Sequence, residues 1–204
     1  MKQQEYIAQN AKGFEGDTIL KEKFKSIVDK WGINCIIETG SYRGATTAQL
    51  GEMIPNGNVY SVEIKKENYN IAKERVKDLK NVNVVLGSSP DFLDSILCGP
   101  MLKIKRILFF LDAHWDDYCP LLDELKLIAD NNLEPVIAIH DFKVPDCPLL
   151  GFDSYKGQDY DFDWIKPSIE KIYPDGYVVE YNNEAEGAKR GVIFIYPDEV
   201  SAAL

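Results

Sequence analysis

The chain holds two histidines in 204 residues, and each closes an apolar run beside an acid. The strand-like segment at 104–111, apolar from Ile107 onward, leads into Asp112 and His114, and the one at 135–139 leads into His140 and Asp141. An imidazole with a carboxylate can take or give a proton near neutral pH. Two hard carboxylates also suit an oxygen-liganded divalent cation such as Mg2+, whereas His140 as a further ligand would shift the preference toward a transition metal. Singly, each residue has a bland reading: a helix cap for either acid, a satisfied rim position for either histidine. If the two runs are neighbouring strands, their backbones lie about 4.8 Å apart and all four side chains line one crevice. Asp112, His114, His140 and Asp141 are therefore the catalytic candidates, with Asp112 and Asp141 as the candidate metal ligands.

A second constellation lies upstream, in CIIETGSYRGATTAQ. An apolar run stops at Glu38, Gly40 and Gly44 follow, and a helix-like segment begins. Glycines there let backbone approach a ligand, and the first N–H groups of the next helix can donate to it. Glu63 ends VYSVEI, 23 residues beyond Gly40, where an acid is placed to accept from ribose hydroxyls. The dinucleotide pattern G-x-G-x-x-G would need glycine at position 42, which is Tyr42.

The spacing E-x-G-x-x-x-G instead resembles the first motif of class I methyltransferases that use S-adenosylmethionine (SAM), and the form with Tyr42 resembles the catechol O-methyltransferase group. FFLDAHWDDYCPLLDEL is similar to that group's segment in which an Asp precedes His-Trp. The resemblance implies a metal-facing role for Asp112 and adenine-facing roles for His114 and Trp115. LGSSPDF implies an adenine-contacting turn at Ser88 and Ser89, and VEIKKEN implies Glu63 on the ribose with Ile64 against the adenine. With Glu38, Gly40, Tyr42 and Gly44, these complete the implied SAM set. The catechol group places a catalytic lysine after the His-Trp and an asparagine after its second metal-binding Asp; here Asp116 and Phe142 stand there. LDAHW with HDF is equally similar to the macrocin-like O-methyltransferases, which methylate sugar hydroxyls at an acid-rich Mg2+ site. The implied acceptor is a small phenol or sugar. Two other readings stay open: a NAD-dependent dehydrogenase or epimerase, and a non-catalytic protein that binds SAM.

The elements that must position these residues follow from periodicity. Residues 1–16 are polar with two glycines and read as a loose arm. Leu20, Phe24, Ile27, Val28 and Trp31 share one helical face over 18–31, capped by Asp17 and ended by Gly32. Helices at 45–53 and around 69–79 separate strands at 58–63 and 82–86. Ser89 offers a cap with Pro90 at the first helical position. Pro120 opens a helix with Leu121, Leu125 and Ile128 inward, and another spans 164–173. Strands alternating with helices predict a parallel sheet with right-handed crossovers. The runs at 177–181 and 192–196 have no helix between them and predict an antiparallel edge hairpin. The expected fold is α/β and Rossmann-like, as in class I methyltransferases, with a mostly parallel seven-stranded sheet and helices on both faces. Residues 142–163 carry Phe142, Phe152, Tyr155, Tyr160 and Phe162 without regular periodicity, and read as a lid over the acceptor.

Composition narrows the partners. One domain is the simplest reading of this length. A net charge of -10 argues against a polyanionic partner such as nucleic acid. No apolar run reaches a membrane span and no secretory leader opens the chain, so a cytoplasmic protein with no membrane partner is expected. Cys35, Cys98, Cys119 and Cys147 show no C-x-x-C spacing and read as reduced thiols. The oligomeric state, a homodimer included, is left open.

Overall fold

The computed structural model describes residues 12–99, 105–115 and 117–198. Seven strands form one sheet in the order β3-β2-β1-β4-β5-β9-β8. They are β1 (Cys35–Thr39), β2 (Asn58–Glu63), β3 (Val82–Leu86), β4 (Ile107–Leu111), β5 (Val136–His140), β8 (Tyr177–Tyr181) and β9 (Val192–Pro197). The first five run parallel, and β9 pairs antiparallel to both β5 and β8. The order of strands switches between β1 and β4, which opens a crevice at their carboxyl ends.

β1, β4 and β5 are buried along their whole length because helices cover both faces. The alternation along β4 shows the two layers. Ile107, Phe109 and Leu111 pack with α4 (Ser89–Leu97), α5 (Leu121–Asp130) and α6 (Phe162–Ile172), while Leu108 and Phe110 pack with α1 (Thr18–Trp31). The predicted face of α1 is buried through Leu20, Phe24, Ile27 and Val28. Asp17 accepts from the Leu20 N–H at 3.0 Å, and Gly32 closes the helix in the left-handed region at φ 58°. On the near side of β2, α2 (Ala45–Met53) and α3 (Lys66–Arg75) complete the alternation.

The structure moves several boundaries. β4 starts at Ile107 and β5 ends on His140, so His140 belongs to the strand. α6 starts at Phe162, where Asp161 accepts from the Trp164 N–H at 3.0 Å. The α4 cap is Ser88, one residue before the predicted Ser89. Residues 142–163 contain a two-stranded ladder, β6 (Ser154–Tyr155) with β7 (Gln158–Asp159), which the sequence did not suggest. All four cysteines are unpaired.

The largest difference is at the start. Residues 1–11 lie outside the described residues, but 14–16 are no loose arm. They form a 3-10 turn whose Phe14 is 2% exposed, with its ring 4.9 Å from Phe24 and 6.1 Å from Phe110. One aromatic among polar residues gives no periodicity, yet an accessible apolar slot between two rings is enough to hold it. Phe14→Ala should lower unfolding stability in a urea titration by about 3 kcal/mol, as for other buried aromatics. A change of about 0.5 kcal/mol or less would return this segment to the loose arm.

Candidate functional site

The glycine loop after β1 forms the near wall of the crevice. Gly40 at φ 84° turns the chain so that its N–H and that of Ser41 both donate to the Val62 carbonyl at 3.0 Å. A Cβ at Gly40 would fall 2.6 Å from the Asp112 carbonyl oxygen, so glycine alone allows the loop to meet the end of β4. Tyr42 itself adopts φ 46°, and a Cβ at Gly44 would meet Ala72 of α3 at 2.8 Å.

Around this loop runs a cleft of about 270 Å3, lined among others by Glu15, Glu38, Gly40, Tyr42, Glu63, Ile64, Asp112, His114 and Asp141. A small adjoining recess is lined by Ile64, Ser89, His114 and Trp115. The structure therefore brings together all but three of the sequence-predicted residues. Gly44 sits behind the cleft as the left-handed cap of α2. Ser88 is spent on capping, donating to Asp91 Oδ2 at 2.6 Å. His140 is 5% exposed beneath the floor, where its ring meets the Phe110 ring edge-on. Asp116 lies outside the described residues.

Glu38 has almost no exposure and accepts from Thr47 Oγ1 and Ser61 Oγ, both at 2.5 Å, tying β1 to α2 and β2. Burial pushes its carboxyl up to about 7, against the lowering effect of those hydroxyls. Glu63 accepts from the Lys65 N–H at 2.7 Å; burial raises its pKa, partly offset by that bond.

At the far wall the acids and the buried imidazole converge. His140 Nδ1 lies 3.3 Å from Asp112 Oδ1 and 3.2 Å from Asp141 Oδ1. Burial alone would push His140 down, but these carboxylates hold it well above its ordinary value. Asp112 keeps 28% side-chain exposure and is raised by burial, with His140 opposing. Asp141 stands at φ 58°, an uncommon conformation for a non-glycine residue, which turns the chain as it leaves β5. Burial would raise its carboxyl as well, yet His140 and Arg190 hold it well below the usual range.

Sequence reasoning missed Arg190, Asp153, Glu15 and Glu124 here. Arg190 binds Asp141 and Asp153; it lies in the polar connector before β9, where a single arginine carries no periodic signal. Glu15 enters the cleft only because Phe14 is anchored. Glu124, from α5, is 1% exposed behind Asp112 and pushed up to about 7 by burial. The predicted lid divides: Phe142 is fully buried in the core and Phe162 packs toward Tyr177, whereas the Tyr155 ring lies 6.2 Å from His114 and 5.5 Å from Tyr160. Phe142 therefore offers the site no ligand.

No family model matches the chain, and no curated protein does either. Solved structures do. The chain is similar to an O-methyltransferase from Bacillus cereus in complex with S-adenosylhomocysteine (SAH), with 20% identity over 89% of this chain and 81% of that one, TM-score 0.60. It is similar to the O-methyltransferase TomG from Streptomyces achromogenes in complex with SAM, with 17% identity over 87% and 79%, TM-score 0.61. It also resembles a precorrin-6y C5,15-methyltransferase from Geobacter metallireducens, with 13% identity over 85% and 88%, TM-score 0.54. The fold is the Rossmann-like fold of class I methyltransferases.

The buried acids give this site a pH signature. Glu38 and Glu124 keep their protons to about 7 in the folded chain, whereas the ordinary value is 4.5. Their contribution to stability is thus full below 4.5 and is lost as pH rises toward 7. Glu38→Gln, which cannot ionise, should flatten the fall of unfolding free energy across that window by up to about 1.4 kcal/mol per pH unit. Parallel pH curves for wild type and variant would show that Glu38 is ionised throughout.

Proposed function

We propose that this protein is a SAM-dependent methyltransferase acting on a hydroxyl of a small acceptor, within one domain of a cytoplasmic protein. The observation that carries the reading is the cleft at the strand-order reversal. There a loop whose Gly40 has no room for a side chain faces an acid ending the neighbouring strand. Ser41 Oγ is buried in that loop without a hydrogen-bond partner among the described residues, a polar atom suited to a ligand. The described residues fit an adenosyl group: Glu63 would take the ribose hydroxyls, Ile64, Ser89 and Trp115 would flank the base, and the Gly40 to Gly44 loop would meet the amino-acid end. When bound, SAM supplies an electrophilic methyl group.

The chain's own part is to bind, orient and remove a proton. Asp112 is the candidate base, because it is partly exposed and lines the cleft while His140 is buried with Nδ1 against two carboxylates. His140 holds Asp112 in place, so that an Asp112 carboxylate oxygen would accept the proton of the acceptor hydroxyl. His114 and Tyr155 form the acceptor wall, and Tyr155 acts as the part of segment 142–163 that covers it. An aromatic wall of this kind suits a phenolic or sugar ring. The acid-rich cleft does not suit nucleic acid. Among the described residues no helix is long and apolar enough to cross a membrane. The dehydrogenase reading is disfavoured by Tyr42 within the loop and by the terminal antiparallel strands.

Three substitutions separate these roles. Glu63→Ala should weaken SAH binding at least about tenfold in calorimetry, since charge-assisted hydrogen bonds are worth roughly 1.5–3 kcal/mol. Asp112→Asn should keep SAH affinity within a few-fold and lower methyl transfer by about 100-fold or more. Tyr155→Ala should raise the acceptor KM while leaving SAH affinity intact. Retained transfer in Asp112→Asn, measured with an acceptor found by screening phenols and sugars for SAH release, would move the proton acceptor to His114.

A further inference from the structure

A fixed cation stands against Asp141, one of the acids lining the cleft. Arg190 forks between two carboxylates, with Nε on Asp141 Oδ1 and Nη2 on Asp153 Oδ1. Its backbone is clamped in place. The Phe142 N–H donates to the Gly191 carbonyl at 2.9 Å, the Gly191 N–H to the Gly151 carbonyl at 2.8 Å, and the Gly151 N–H to the Lys189 carbonyl at 2.8 Å. A Cβ at Gly191 would fall 2.0 Å from the Phe142 carbonyl oxygen, so glycine is what lets the chain bearing Arg190 reach the end of β5. The Asp153 N–H donates to the Asp141 carbonyl at 2.9 Å, so the two acids are held together before their side chains meet the guanidinium.

This arrangement bears on the metal that the resemblance implied. One oxygen each from Asp112 and Asp141 and one nitrogen from His140 lie within 4.8 Å of one another, the outline of a ligand set. Yet Asp141 Oδ1 is shared between the Arg190 guanidinium and the His140 ring. A dication at that oxygen would displace a charge-assisted bond and sit against the guanidinium at short range. The donor set does not fit a metal while Arg190 is in place.

We infer that Arg190 is a positioning residue that stands where a divalent cation would otherwise be needed: it fixes Asp141, Asp141 and Asp112 fix His140 between them, and Asp112 is thereby aimed at the acceptor without metal. This rests on the methyltransferase reading for Asp112, but the ion pairing of Arg190 can be tested apart from it. Replacing the fork by a neutral side chain frees two facing carboxylates, which is the donor set a hard cation takes.

The test is a Mn2+ titration followed by electron paramagnetic resonance, on the full chain, with SAH calorimetry on the same samples. Wild type should show no saturable Mn2+ binding at millimolar concentration. Arg190→Gln should acquire a site at least about tenfold tighter, and adding Asp141→Asn should remove it again. Arg190→Lys keeps the charge and should remain free of Mn2+, with SAH affinity unchanged. Should Arg190→Gln fail to fold, wild type and Arg190→Lys decide by the same criterion. Stoichiometric Mn2+ on wild type that Asp141→Asn abolishes overturns the inference whatever SAH does, and so does an Arg190→Gln protein with unaltered Mn2+ affinity. Wild type that binds neither Mn2+ nor SAH supports the ion-pair assignment and overturns the cofactor reading.

Discussion

The contact on which this structure turns is the approach of Gly40 to the Asp112 carbonyl, too close for any side chain at position 40. It joins the loop after β1 to the end of β4, the two places where the parallel sheet reverses its order. The loop after β1 and the acid at the end of β4 are thereby held against one another. Everything else in the cleft is arranged around that seam: Glu63 one strand away on one side, His140 and Asp141 one strand away on the other.

The carboxylates that this chain buries cannot be left ionised and alone. The chain uses two devices. Glu38 and Glu124 are buried with raised pKa values, so the neutral form is favoured, and Glu38 is satisfied by two hydroxyls. Asp141 is instead kept charged by an imidazole and a guanidinium. Asp112 lies between these regimes, partly exposed and raised by burial, with the His140 imidazole opposing that rise. That intermediate setting is what a proton acceptor in a cleft requires.

How much of this was legible depends on whether the information is local. The strand, glycine turn and helix from Cys35 onward, and the acid at Glu63, follow from residues within one unit, so the sequence yields them nearly to the residue. His140 and Asp112 meet only through the pairing of β4 with β5, which the sequence left as a condition. Arg190 and Asp153 could not be read, because they sit in polar connectors and are joined by backbone pairing between segments about 40 residues apart. Phe142 misled for the opposite reason. Beside an acid in the site it reads as a site residue, but the left-handed turn at Asp141 sends the next side chain into the core. Phe14 was hidden because a single anchoring aromatic has no period.

The central claim is that the cleft between β1 and β4 is an adenosyl site, and a crystal structure of the protein grown with SAH addresses it most directly. The account predicts density running from the Gly40 to Gly44 loop to the recess of Ile64, Ser89 and Trp115, with the ribose hydroxyls on Glu63 and the sulfur facing Asp112. Saturating SAH with an unchanged cleft, or density bound elsewhere on the molecule, would contradict it.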